Sequence, residues 1–143
     1  MSPARTKPSK DAGSRPTEKT AERAARLGPA GIRGFFNIAR LWHLSQHEQQ
    51  TLLALPRSTL AKYRQDPTTA QLGPDTLERV SYLLGIYKAL QILIPDAAQA
   101  DDWVRRSNTA PLFGGRSALD RMLGGQVSDL YVVRHYLDAQ RGW

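Results

Sequence analysis

The chain is expected to be all-α, and three observations carry that expectation. Apolar residues recur at helical spacing from Ile32 onward, helix-capping pairs stand at Ser45/Glu48 and Ser117/Asp120, and no segment shows the alternation of a half-buried strand. With 143 residues, 41% of them apolar, the chain is long enough to bury a core of its own.

The elements follow in order, starting with a basic tail, residues 1–30. Residues 1–33 hold eight of the 20 Lys and Arg but three of the 13 Asp and Glu, so most of the +7 net charge sits there. Pro3, Pro8, Pro16 and Pro29, with hardly a large apolar side chain among them, predict disorder, with weak helicity at most over Thr20 to Leu27. Such a tail either follows a phosphate backbone or only keeps the protein in solution. Its four prolines and missing amphipathic face argue against a transit peptide.

Residues 31–74 read as a helix-turn-helix region. Phe35, Ile38, Ala39 and Trp42 form one face of a first helix, Ile32 to His43. Ser45, with Glu48 three residues on, caps a second helix, Gln46 to Leu55, whose inner side carries Leu52, Leu53 and Leu55. Pro56 stops it, and a third helix runs from Ser58 to about Gln65, ending before Asp66-Pro67. Leu60, Ala61 and Tyr63 would pack inward. Arg57, Ser58, Thr59, Lys62 and Gln65 would project outward, residue types that contact phosphates and base edges. The spacing resembles Xre-like repressors, with Leu53, Leu55, Leu60 and Tyr63 at core positions. It departs at Gln49 and Gln50, where an apolar residue and a small alanine are common, at Ala54 in place of glycine, and at Pro56 in place of serine; Gln50 is expected to crowd the approach of the two helices. Two readings stay open, a DNA-reading unit and a structural three-helix unit whose basic face is only solvated.

Residues 75–143 form the last region. Asp75, with Glu78, would cap a long helix that ends at Pro95-Asp96 and is apolar around most of its circumference, so it is either a central core helix or one shared with a second chain. A short segment, Asp96 to Arg106, leads with Trp103 into Leu112-Phe113-Gly114-Gly115-Arg116-Ser117-Ala118-Leu119-Asp120. There two glycines permit backbone angles closed to other residues, and Ser117 caps a helix over Ala118 to Leu123. After Gly124-Gly125 a final helix runs from about Ser128 to Gln140.

Chemistry is excluded more readily than it is found. Without cysteine there is no disulfide, thiol nucleophile or thiolate metal site, which suits a reducing, cytoplasmic setting. No apolar run is long enough to cross a membrane. His43 and His47 straddle a helix break without a third ligand, and His135 is remote, so no metal is expected. Asp101, Asp102 and Asp129 have no nucleophile at motif spacing, and the glycine pair lacks the Lys-Ser/Thr of a phosphate-binding loop. No enzyme, catalytic residue or cofactor is expected.

The run Asp75-Thr76-Leu77-Glu78-Arg79-Val80-Ser81-Tyr82-Leu83-Leu84-Gly85-Ile86 is followed by Pro95-Asp96, Trp103-Val104, Asn108, the glycine segment and Gly125. Together they resemble the antitoxins of the Xre/MbcA/ParS class, in which an Xre-like helix-turn-helix precedes a small helical toxin-binding domain. Ala118 stands where the family commonly has proline. The resemblance implies an antitoxin that covers the active site of a NAD-consuming RES-domain toxin and binds its operon promoter, as a homodimer and in hetero-oligomers with the toxin. It implies toxin contacts at Trp103, Asn108, Phe113, Gly114, Gly115, Arg116 and Ser117, with Arg141 and Trp143 as a terminal plug. The other reading is a stand-alone transcriptional regulator whose C-terminal half only dimerises.

Overall fold

The computed structural model describes residues 18–142, with side chains from Leu27 onward. Among the described residues the fold is all-α, seven α-helices with 3-10 turns at Pro67–Thr69 and Trp103–Arg105. The helices are α1 (Glu18–Leu41), α2 (Gln46–Leu53), α3 (Arg57–Gln65), α4 (Pro74–Leu93), α5 (Ala97–Asp102), α6 (Ala118–Met122) and α7 (Val127–Gln140).

Helix α1 begins well before the expected Ile32 and passes through Pro29. The helix takes in Thr20 to Leu27, where weak helicity at most is expected, and residues 28–30, whose expected disorder is corrected; residues 1–17 lie outside the described residues. Tertiary contact outweighs the proline. Gly28 is buried against the Ala70 carbonyl, where a Cβ would stand 2.8 Å from the oxygen, and Gly31 meets Val80 of α4. Ile32, Phe35, Ile38, Ala39 and Trp42 then line the core.

The helix-turn-helix is built as its caps predict. Ser45 Oγ accepts the Glu48 N–H at 3.1 Å and Glu48 Oε1 accepts the Ser45 N–H at 2.8 Å. Helix α2 stops at Leu53, two residues short of the expected Leu55, because Ala54 adopts the left-handed conformation, φ 56° and ψ 44°. Leu52, Leu53, Leu60 and Tyr63 are buried, Leu55 packs at the margin, and Ala61 faces solvent, a correction to its inward assignment. Leu60 and Tyr63 define the buried side of α3, and Ala61 is turned about 100° from Leu60, away from it. Gln50 does not crowd the helix pair; Gln49 is the buried glutamine, and its amide donates to the Leu44 carbonyl at 3.1 Å and accepts from Arg64 at 2.7 Å.

Helix α4 packs chiefly on α7 and then on α1, which accounts for its broad apolar surface. Its N-cap is Gly73, with Pro74 in the first turn, and not the expected Asp75. Proline is pre-set for that position, which frees Asp75 to pair with Arg79 at 2.9 Å and Glu78 to accept the Tyr82 hydroxyl at 3.0 Å. Buried residues from α1 through α7 form one continuous cluster.

Candidate partner loop and DNA-facing helix

The glycine segment is a closed loop. An isolated antiparallel bridge joins Ser107 to Ser117 at its neck. Inside, the Asn108 N–H donates to the Arg116 carbonyl at 3.0 Å and its carbonyl accepts the Gly115 N–H at 2.8 Å. Asn108 Oδ1 takes the Ala110 N–H at 2.9 Å, the local side-chain turn that asparagine favours. The N–H groups of Phe113 and Gly114 both reach the Ala110 carbonyl, at 2.9 and 3.0 Å. Gly114 and Gly115 have φ of 59° and 90°, with open space where a Cβ would stand, so glycine is needed there for the backbone angle and not for room.

Three rings seat this loop on α7. Phe113 meets Tyr136 edge-on at 5.2 Å and Trp103 edge-on at 5.8 Å, while Trp103 stacks on Tyr136 at 6.4 Å. Phe113 is 4% exposed, so it anchors the loop from within; Trp103 is half-buried. Ser117 is also buried, its hydroxyl accepting the Asp120 N–H at 3.0 Å as α6 begins. Among the expected partner residues, Gly114, Gly115 and Arg116 reach solvent, beside Thr109 and Pro111 of the same loop, the arginine with 76% of its side chain exposed and a long 3.7 Å pairing with Asp120. Of the residues expected at a partner surface, the structure thus brings six into one loop and divides them into a frame (Asn108, Phe113, Ser117) and a tip (Gly114, Gly115, Arg116). Arg141 lies apart at the end of α7, 3.9 Å from Asp138, and Trp143 is outside the described residues.

The second candidate surface is α3. Arg57, Ser58, Lys62 and Gln65 are exposed along it and Thr59 is half-buried at its edge. Arg64, from the same helix, turns away from this face. Its guanidinium sits 4.9 Å over the Phe36 ring and holds Gln49, so it is occupied within the fold.

Two arginines outside the expected site tie distant segments of the chain together. Arg79, with 8% of its side chain exposed, donates to the carbonyls of Thr51 and Leu52 at the end of α2 and to Gly125 before α7. Arg105 donates to the carbonyls of Trp42 and His43 and to Glu48. Most of their acceptors are backbone carbonyls on distant segments, which leave no trace in local periodicity. The histidines are dispersed: His43 and His47 are exposed on either side of the first turn, and His135 stacks on Tyr131 at 5.7 Å.

Comparison with known proteins gives two family matches, which part within α4. Residues 24–85 match the model of the antitoxin Xre-like helix-turn-helix domain, and residues 89–142 match that of the antitoxin Xre/MbcA/ParS C-terminal toxin-binding domain. The chain is also 51% identical over 115 residues, 80% of its own length and 86% of the relative's, to the uncharacterized protein y4oB of Sinorhizobium fredii (strain NBRC 101917 / NGR234). The loop lies within the toxin-binding match and α3 within the helix-turn-helix match, and the chain belongs to the Xre/MbcA/ParS family of antitoxins.

Proposed function

We propose that this antitoxin is a non-enzymatic cytoplasmic protein that neutralises a NAD-consuming RES-domain toxin by seating the Gly114-Gly115-Arg116 tip over the entrance of the toxin's active site. The observation that carries this reading is the division of the loop into a buried frame and an exposed tip. A loop fixed before binding loses little entropy when it docks, and a mostly exposed guanidinium is suited to an acid or phosphate-binding pocket. Trp103 would contribute its exposed edge, and Arg141 and Trp143 a second contact. Through α3, with Arg57, Ser58, Thr59, Lys62 and Gln65, the protein would bind its own promoter DNA. A homodimer would present two such helices to paired half-sites, and toxin would join it in a hetero-oligomer.

The test is co-expression with the toxin encoded beside it. Wild-type chain should restore growth and co-purify with the toxin, and Arg116→Glu should do neither at equal abundance. A harmless neighbouring gene product that does not bind the chain would instead favour a stand-alone regulator.

A further inference from the structure

The turn that joins α1 to α2 is strained and is held from outside. His43 has φ 54°, a left-handed conformation without glycine, which persists only where neighbouring groups enforce it. Arg105 supplies that enforcement. Its guanidinium donates to the carbonyls of Trp42 at 2.9 Å and His43 at 2.7 Å and to Glu48 Oε1 at 2.9 Å. The same Glu48 oxygen accepts the Ser45 N–H, so these contacts also close the first turn of α2. Arg105 lies two residues before the bridge that shuts the glycine loop. With Glu48, Gly115, Arg116, Ser117 and Asp120 it borders a polar cleft of about 340 Å³. Glu48 belongs to the helix-turn-helix and the other residues to the loop side, so an occupant of this cleft touches both halves.

We propose that Arg105 is a latch through which a protein docked on the loop resets the His43 turn, and with it the α2–α3 pair. The fitting occupant is an acidic side chain of the toxin. Two partly exposed guanidiniums, 40% for Arg105 and 76% for Arg116, face the cleft. Each is paired with a carboxylate of the cleft's own lining, Glu48 at 2.9 Å and Asp120 at 3.7 Å, so an incoming acid takes the place of one of these. A carboxylate arriving there competes with Glu48 for Arg105 and draws its donors away from the Trp42 and His43 carbonyls. The latch rests on the antitoxin reading above and adds to it that toxin occupancy is transmitted to the DNA-facing half.

The experiment is amide hydrogen exchange on the full chain, free and with the toxin encoded beside it, for the wild type, Arg105→Gln, Arg105→Lys and Glu48→Gln. Free Arg105→Gln and Glu48→Gln should exchange at least tenfold faster than wild type over residues 42–48, Arg105→Lys should fall between, and residues 130–137 should stay within twofold. Toxin should accelerate residues 42–48 in the wild type and add nothing in Arg105→Gln. Should Arg105→Gln not fold, the Glu48→Gln comparison carries the same test. Toxin that protects residues 108–117 yet leaves 42–48 of the wild type unchanged or slower overturns the latch and spares the antitoxin reading. If no complex forms, both fall.

Discussion

Arg79 Nη2 lies 3.0 Å from the carbonyl oxygen of Gly125, 46 residues further along the chain, and the same guanidinium reaches back to the carbonyls of Leu52 at 3.4 Å and Thr51 at 3.5 Å. Helix ends leave such carbonyls without partners. At the end of α2 Arg79 and the Thr76 hydroxyl, 3.1 Å from the Leu53 carbonyl, supply them from α4. One helix thereby closes the helix-turn-helix and grips the turn before α7.

From this grip comes the first prediction. Arg79→Met keeps much of the buried volume but leaves buried carbonyls unpaired, and it should cost about 2–4 kcal/mol of stability. The two halves should still unfold in urea as one transition, because α4 and the continuous core are common to both. A loss below about 0.5 kcal/mol on the same scale would show that Arg79 does not join them, and two separate transitions would show that α4 and the core do not couple the halves without it.

Ala54 ends α2 in a conformation that glycine adopts without penalty. Ala54→Gly should therefore stabilise the protein by roughly 0.5–1 kcal/mol, the relief of strain exceeding the added freedom of the unfolded chain. Ala54→Val should do the reverse. Chemical denaturation of the pair checks the sign, and equal midpoints would mean that the turn carries no strain.

Gly28 and Gly34 offer a matched comparison. A Cβ at Gly28 meets the Ala70 carbonyl oxygen at 2.8 Å, which is backbone, whereas at Gly34 it meets Leu84 Cδ2 at 2.9 Å, the mobile end of a side chain. Gly28→Ala should lose about 1–3 kcal/mol despite alanine's better helix propensity, and Gly34→Ala should lose less. Thermal unfolding that ranks them the other way would contradict the close approach of α1 to the Pro67–Thr69 turn.

What the sequence made legible was whatever its own neighbourhood determines. Ser45 with Glu48 and Ser117 with Asp120 are capping pairs three residues apart, and both appear as read. The glycines at 114 and 115 required positive φ and have it. Helix α1 was cut short because proline and sparse large side chains argue locally against a helix, while the stabilising contacts of Gly28 and Gly31 lie on segments about 40 to 50 residues away. Phe113 showed the same limit: aromatic character marked the loop, but only the fold reveals that the ring turns inward to Tyr136.

Tyr82 gives a pH signature. Its hydroxyl donates to Glu78 at 3.0 Å, and that hydrogen bond, first among the causes, raises the phenol above its ordinary pKa of 10.0. A raised folded pKa means stability that is whole below the unfolded value and lost as pH climbs through the folded one. Absorbance at 295 nm should show Tyr82 ionising later in the wild type than in Glu78→Gln, which should return it toward 10. No difference between the two titrations would mean that the hydrogen bond is absent in solution.

The frame and the tip of the loop should separate by experiment. Phe113→Ala removes a buried ring packed on Trp103 and Tyr136 and should cost about 3–5 kcal/mol of stability. Any loss of toxin binding would accompany partial unfolding and recover on cooling. Arg116→Glu alters a largely exposed side chain whose pairing with Asp120 is 3.7 Å long, worth at most about 1 kcal/mol, so its melting temperature should barely move. If the tip is the contact proposed above, toxin affinity should nevertheless fall at least tenfold, because reversing the charge would replace an attraction by a repulsion there. Parallel calorimetry and binding measurements on the two variants decide the matter: Phe113→Ala losing affinity at full stability would mean that the ring meets the toxin, and Arg116→Glu keeping it would mean that the arginine does not.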